Sequence, residues 1–120
     1  MKNQMISFLS VLFKAWSIES SSHWTIKNPA KGQCGVTALI VNDYFGGEIL
    51  KTKVSDSWHY YNRINGITYD FTASQFTNSL EYQDFPSNRL EAFTDTNNKQ
   101  YDYLRNRVHL YITRKQVIHK

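Results

Sequence analysis

An Asn-Gly dipeptide, Asn65-Gly66, separates two runs of β-branched and aromatic residues near the middle of the chain. A two-residue type I′ turn needs positive φ at both central positions, and Asn followed by Gly adopts it readily. The sequence therefore predicts a β-hairpin with strands over Trp58–Ile64 and Ile67–Phe71. This feature restricts the fold more than any other, because a two-residue turn also fixes which residues face each other.

The predicted register places a histidine and an aspartate on one face of the hairpin. With Asn65-Gly66 as the turn, Tyr61 pairs with Asp70. Paired residues share a face, as do residues two apart in one strand, so His59 lies diagonal to Asp70. Cβ atoms in that relation are about 7–8 Å apart or somewhat less, a span that an imidazole and a carboxylate can bridge with a hydrogen bond.

The two faces of the predicted hairpin differ in polarity, which favours a single register. The polar face is expected to carry His59, Tyr61, Arg63, Thr68, Asp70 and Thr72. The opposite face is expected to pack on the core and carries Trp58, Tyr60, Ile64, Ile67, Tyr69 and Phe71.

The chain contains one cysteine, Cys34, so an intramolecular disulfide is excluded. It is the first residue of a predicted helix over Cys34–Phe45. Apolar residues lie on all sides of this helix, and the two glycines that follow Phe45 end it. A helix N-terminus favours a thiolate, and a neutral imidazole can accept the thiol proton. Cys34, His59 and Asp70 would then form a Cys-His-Asp nucleophilic site. The alternative is that Cys34 is a small buried hydrophobic residue, which is common for a free cysteine.

The remaining elements follow from periodicity and turn residues. An amphipathic first helix is predicted from apolar residues three and four apart, at Met5, Phe8, Leu9, Leu12, Phe13 and Trp16. The later segments are a strand at Glu48–Val54, a helical turn at the start of Thr72–Phe85, a loop or short helix at Pro86–Asn98, and a run that closes the sheet at Tyr101–Ile118. Helices combined with antiparallel strands predict a single α+β domain over residues 1–120.

Composition limits the class of partner. Hydrophobic residues make up 41% and charged residues 20%, as in a globular protein. No segment approaches the roughly 20 apolar residues that span a bilayer, so we expect no membrane association and a cytoplasmic location, where a free thiol stays reduced. Cys34 and His59 alone provide too few ligands for a closed zinc site, so neither a metal nor a cofactor is expected.

The net charge of +4 raises the question of nucleic acid. Much of it falls near the C-terminus, at Arg105, Arg107, Arg114, Lys115 and Lys120. A basic strand there could attract an anionic partner. Lys and Arg in such a place more often discourage edge-to-edge pairing of strands, and no recognised motif accompanies them. Nucleic-acid binding is therefore the weakest of the hypotheses.

At the three site segments the chain resembles the papain-like superfamily, especially its transglutaminase-like and bacteriocin-processing peptidase members. The run from His59 to Thr72 is similar to the transglutaminase-like segment from His to Asp, and the run from Gln33 to Leu39 is similar to the start of the peptidases' nucleophile helix. A longer stretch, from Ala15 to Phe76, resembles the YunG-like family of uncharacterised bacterial proteins. The matching residues are Asn28-Pro29, Gly32-Gln33-Cys34, Thr37-Ala38-Leu39, Phe45-Gly46-Gly47, His59-Tyr60 and Asp70-Phe71-Thr72.

The resemblance implies a papain-like or transglutaminase-like domain of the α+β class, with N-terminal helices packed on an antiparallel sheet. It implies Cys34 as nucleophile, His59 as base and Asp70 as the carboxylate that orients the imidazole. Papain-like enzymes often place an oxyanion-hole glutamine six positions before the cysteine, where this chain has Asn28. Asn28, Gln33 and the backbone N–H of Cys34 are therefore the candidates for stabilising an oxyanion.

The leading hypothesis is a cysteine-dependent acyl-transfer enzyme, which could be an amide or thioester hydrolase, a deamidase or a transamidase. Its substrate would be a peptide, a protein or a small amide or thioester. The alternative is a catalytically silent papain-like domain that binds a peptide or protein and keeps Cys34 buried. Reactivity of the thiol near neutral pH separates the two.

Overall fold

The computed structural model describes the backbone of residues 2–118 and the side chains of residues 2–114. Its helices are α1 (Lys2–Ala15), α2 (Cys34–Phe45), α3 (Arg89–Phe93) and α4 (Asn98–Ile118). Its strands are β1 (Glu48–Val54), β2 (Ser57–Ile64), β3 (Ile67–Tyr69) and β4 (Phe85–Pro86), with a 3-10 turn at Ala73–Gln75. The described residues therefore form an α+β fold of helices and an antiparallel sheet, as the sequence predicts.

The four-stranded sheet has the order β3-β2-β1-β4, and every neighbouring pair is antiparallel. The predicted hairpin turn is confirmed, because Ile64 pairs with Ile67 while Asn65 and Gly66 have φ of 52° and 78°. The strand after the turn is shorter than predicted and ends at Tyr69. Asp70 is therefore the first residue beyond the sheet, next to the unpaired part of β2.

Helix α2 lies at the centre of the fold, with every residue from 34 to 41 buried. It packs on the face of β2 that carries Tyr60 and Asn62, and the Asn62 amide donates a hydrogen bond of 3.1 Å to the Ala38 carbonyl. On its other side Phe8 of α1 packs edge-on against Phe45, with ring centroids 5.0 Å apart. This packing holds α2 between α1 and the sheet, and Cys34, at the N-terminus of α2, lies in the same buried cluster as Tyr60.

The prediction that Tyr101–Ile118 closes the sheet is wrong, because those residues lie within helix α4. The short alternating run near Val108 imitates a strand, but Leu104 and Val108 are four residues apart and both are fully buried. That helical spacing lets one side of α4 pack against α1. The proposed basic strand is therefore a helix; Lys120 and the side chain of Lys115 lie outside the described residues.

The predicted contrast between the two faces of the hairpin is also only partly correct. Trp58 and Ile67, expected in the core, are 37% and 52% exposed. His59 and Tyr61, expected on a polar face, are 3% and 1% exposed. The reason is that the irregular segment 76–84 covers the second face of β2, and its Phe76 packs against the His59 ring. Across residues 2–118, no helix is long and apolar enough to cross a bilayer.

Candidate active site

His59 and Asp70 form a buried pair beside the open edge of β2. His59 Nε2 lies 2.7 Å from Asp70 Oδ2, and the two side chains are 3% and 6% exposed. The other carboxylate oxygen, Oδ1, accepts hydrogen bonds from the backbone N–H and the hydroxyl of Thr72, at 3.1 and 3.3 Å. Because Asp70 holds Nε2, Nδ1 is the ring nitrogen left to exchange a proton with another group.

Aromatic side chains enclose this pair. The Phe76 ring meets the His59 ring edge-on, with centroids 4.9 Å apart, and Tyr61 stacks on the imidazole at 6.1 Å. The Tyr82 hydroxyl donates to Asp70 Oδ2 at 2.7 Å, so one oxygen meets both the phenol and the imidazole. Sequence reasoning missed Tyr82, because it lies in an irregular segment with no periodic pattern.

Cys34 is the first residue of α2, as predicted, and is 8% exposed. Its thiol donates a hydrogen bond to Asp95 Oδ2 at 3.4 Å. Within the described part of the chain, the sulfur makes no hydrogen bond to the His59 ring. The backbone N–H of Tyr60 forms a hydrogen bond with the sulfur, which lowers the pKa of the thiol. Since Tyr60 follows His59 in β2, the thiol lies beside β2 at the level of His59.

The surroundings of Cys34 favour the neutral thiol. Burial raises the pKa of the thiol well above its usual range, and the negative charge of Asp95 raises this pKa further. The backbone N–H of Tyr60 opposes both effects but is outweighed. The expectation that the thiol pKa is lowered at the helix N-terminus is therefore wrong, because burial is the largest influence on the thiol. In this conformation Cys34 is a protonated hydrogen-bond donor.

Asp95 is the main site residue that the sequence did not suggest. It lies in the turn between α3 and α4, 61 positions after Cys34 along the chain. The Gly35 backbone N–H donates to the same Oδ2 at 3.0 Å. Burial of the carboxyl raises the pKa of Asp95, whereas the bonds from Gly35 and Cys34 lower it. The outer part of Asp95 is exposed, so solvent weakens this desolvation relative to that at Cys34.

A glycine at position 35 makes the approach of Asp95 possible. A Cβ atom there would lie 2.6 Å from both Cβ and Oδ2 of Asp95, and 2.8 Å from the Ala92 carbonyl oxygen. These distances are shorter than any van der Waals contact. The residue that follows the nucleophile candidate therefore has no side chain at the place where the α3–α4 turn meets α2.

The two amide candidates for an oxyanion hole both donate hydrogen bonds to backbone carbonyls. Asn28 Nδ2 donates to the Gln75 carbonyl at 3.2 Å, and Gln33 Nε2 donates to the Ser17 carbonyl at 3.4 Å. Gln33 is fully buried, and its Oε1 has no hydrogen-bond partner among the described residues. Their oxyanion role stays a prediction. Among the described side chains, no group of three or more His, Cys, Asp or Glu is placed to hold a metal ion.

Comparison with known proteins gives a family for the chain. The family described as YunG protein matches residues 4–113. The uncharacterised protein YunG of Bacillus subtilis strain 168 is 58% identical over 95 residues, which cover 79% of this chain and 83% of that protein. No solved structure matches. The match across nearly the whole described chain, together with this identity, shows that the chain belongs to the YunG family.

Proposed function

We propose that this chain is a cysteine-dependent acyl-transfer enzyme in which Cys34 is the nucleophile, His59 the base and Asp70 the orienting carboxylate. The buried His59–Asp70 pair, 2.7 Å apart, carries the proposal. A buried ionisable pair is expensive to desolvate and is often no more stabilising than apolar residues of similar volume. Stability alone therefore gives a weak reason for the pair, whereas proton exchange with a nucleophile would give a strong one.

The chemistry would follow from the positions of these groups. Asp70 holds the Nε2–H tautomer, so Nδ1 would accept the thiol proton as the sulfur attacks the carbonyl carbon of an amide or thioester. The imidazolium would then protonate the leaving amine or thiol, which leaves an acyl thioester on Cys34. Attack by water would complete a hydrolase or deamidase reaction, and attack by an amine a transamidase reaction.

The papain-like relationship belongs to this proposal and is supported by the order of the elements. Cys34 begins a buried helix, His59 lies on a strand that follows it, and Asp70 comes directly after the next strand. That order of thiol, imidazole and carboxylate is the one the sequence resemblance implies. The substrate would be a peptide, a protein or a small amide or thioester.

Asp95 would keep the proposed enzyme in a closed form. Its carboxylate bonds both the thiol and the Gly35 N–H, and it lies on an exposed turn, residues 94–97, between α3 and α4. Movement of that turn would release the sulfur and bring His59 into use. Asp95 therefore separates a resting thiol from a reactive one in this mechanism.

A second function is favoured by the same contact. A thiol that donates to a carboxylate, and whose pKa is raised, is a poor nucleophile. If the turn stays closed, the domain is a silent papain-like module that binds a peptide or protein. The Cys34–Asp95 hydrogen bond is the observation that supports this reading.

Mass spectrometry of the intact protein tests the proposal. We expect a panel of small acyl thioesters to leave an acyl group on Cys34 of the wild type, and His59→Ala to slow that step strongly. Asp70→Ala should have a smaller effect, because Asp70 acts through the orientation of the imidazole. Tyr101→Phe is the control, since it removes a hydroxyl that bonds Asp43 and contacts neither His59 nor Asp70. Acylation at equal rates in wild type and His59→Ala, or only after unfolding, would favour the silent domain.

A further inference from the structure

We propose that Tyr82 is a positioning residue that acts on His59 through Asp70. The Tyr82 hydroxyl donates to Asp70 Oδ2 at 2.7 Å, which is the oxygen that His59 Nε2 meets at 2.7 Å. Two donors on different segments therefore share one carboxylate oxygen. The proposed Cys-His-Asp site does not include the Tyr82 phenol.

The hydrogen bonds to Asp70 explain why the phenol matters. An ionised carboxylate offers about four lone-pair sites. Thr72 supplies two donors to Oδ1, and His59 with Tyr82 supplies the two that reach Oδ2. The carboxylate is thus held on all sides, and loss of the phenol would leave one site open to water or to rotation of the carboxylate.

The chain fixes the phenol from both sides. Residues 81–84, which we call the strap, cross the sheet at Thr52. The Thr52 hydroxyl donates to the Glu81 carbonyl at 3.2 Å and accepts from the Gln83 backbone N–H at 3.0 Å. These bonds flank Tyr82 directly in the chain. Its ring also packs edge-on against Tyr61, with centroids 4.9 Å apart. The hydroxyl is therefore directed at Asp70 by the strap.

Core packing does not account for Tyr82. The residue is 39% exposed, so its ring contributes less to the core than a buried tyrosine would. Its polar end nevertheless faces a carboxylate that is 6% exposed. Burial raises the pKa of the Tyr82 phenol, and the hydrogen bond to Asp70 raises it further, which keeps the phenol a donor. An exposed ring with an inward hydroxyl fits an orienting role.

The test compares two tyrosines whose hydroxyls bond different carboxylates. Tyr82→Phe removes the hydroxyl that bonds Asp70, while Tyr101→Phe removes one that bonds Asp43 instead. Both changes keep an aromatic ring. With imidazole ¹⁵N-labelled histidine, we expect Tyr82→Phe to speed solvent exchange of the His59 Nε2 proton by about tenfold or more, as loss of a hydrogen bond to a charged group allows. Tyr101→Phe should leave that exchange rate within about twofold, because its hydroxyl bonds neither Asp70 nor the strap.

The result does not depend on turnover. The role of Tyr82 in a reaction rests on the proposed function. The exchange rate, however, reports the coupling of Tyr82 to His59 whether or not Cys34 is ever acylated. An unchanged exchange rate in Tyr82→Phe, or an equal increase in both variants, would overturn the inference. Absence of acylation in wild type would instead overturn the proposed function.

A second measurement covers the case in which Tyr82→Phe does not fold. Asp70→Asn removes the charge that raises the pKa of Tyr82. With ¹³Cζ-labelled tyrosine, the Tyr82 resonance should then titrate at lower pH than in wild type. The Asp43→Asn variant, which changes a carboxylate bonded to Tyr101 instead, should leave the Tyr82 titration in place. If Tyr82 titrates at the same pH in Asp70→Asn as in wild type, the proposed coupling of Tyr82 to Asp70 is wrong.

Discussion

The Cys34 thiol donates to Asp95 at 3.4 Å, while the imidazole of His59 is bonded to a different carboxylate, Asp70. The structure therefore contains two hydrogen-bonded pairs rather than one chain of three groups. Proton transfer from the thiol to His59 requires that the first pair break. The reactivity of Cys34 should consequently depend on Asp95 more than on the helix N-terminus at which it lies.

Replacement of Asp95 by asparagine should make the thiol more reactive. Asp95→Asn removes a negative charge that raises the pKa of Cys34 and keeps a side chain of similar size. Each unit by which the pKa falls raises the thiolate fraction about tenfold at neutral pH. We expect faster alkylation by iodoacetamide, followed by intact mass.

Asp84→Asn is a matched control for this change, because Asp84 bonds Tyr61 and not the thiol. Its alkylation rate should equal that of wild type. A rate in Asp95→Asn no faster than in this control would mean that burial alone suppresses the thiol.

The stability of the protein should fall in alkali partly because of Cys34. The pKa of the thiol is raised in the folded state, so the folded state binds the proton more tightly than the unfolded chain does. The contribution is fully present below the ordinary thiol value of 9.0 and is lost as pH rises above it.

Urea unfolding at pH 7 and pH 10 measures this effect. Tyr61 and Tyr82 have raised pKa values as well and add to the same trend. We therefore compare wild type with Cys34→Ala, in which the loss of stability between the two pH values should be smaller. Identical losses in the two proteins would contradict a raised thiol pKa.

The parts of the fold that the sequence predicts well are those set by local chemistry. The hairpin follows from Asn65-Gly66, whose positive φ values the structure contains. Helix α2 begins and ends at the predicted residues because a loop precedes it and glycines follow it. The contact between His59 and Asp70 follows from the register, so half of the candidate site is predictable from a two-residue turn.

The parts that the sequence does not predict depend on distant segments. Asp95 reaches Cys34 across 61 positions, through an exposed turn with no pattern of its own. Tyr82 reaches Asp70 only because the strap crosses the sheet at Thr52. The sequence predicts a strand where helix α4 lies, because a short alternating run fits both periods and only packing against α1 decides between them.

A buried hydrogen bond between α1's end and α2 should contribute measurably to stability. The Trp16 indole N–H donates to the Thr37 hydroxyl at 2.9 Å, and the two residues are 3% and 2% exposed. Thr37→Val keeps the shape but leaves the indole N–H without an acceptor, which should lower the free energy of unfolding by about 1–3 kcal/mol. Urea denaturation measures the change.

Thr37→Ser separates the hydroxyl from the methyl group. It keeps the acceptor for Trp16 and removes one methyl, which should cost about 1 kcal/mol. If Thr37→Val is as stable as wild type, the hydrogen bond contributes nothing measurable to stability.

The close approach of Asp95 to Gly35 leads to the final prediction. Alanine favours a helix by about 1 kcal/mol over glycine. At position 35, however, its Cβ would lie 2.6 Å from Asp95 and 2.8 Å from the Ala92 backbone oxygen. Overpacking of this kind typically costs about 1–3 kcal/mol, so Gly35→Ala should lower the free energy of unfolding while displacing Asp95 from the thiol. We expect thermal unfolding at lower temperature together with faster alkylation of Cys34.

Two further variants separate the causes. In Gly35→Ala/Asp95→Gly neither Cβ nor Oδ2 is present at position 95, but the contact with the Ala92 carbonyl remains, so part of the lost stability should return. Gly46→Ala is the control for removing a glycine where a Cβ meets open space, although its φ of 69° adds backbone strain. Because displacement of Asp95 is the only change that should release the thiol, Gly46→Ala should leave the alkylation of Cys34 at the wild-type rate even if it destabilises the fold. If Cys34 is alkylated in Gly35→Ala at the wild-type rate, the α3–α4 turn does not hold the thiol in its protonated form.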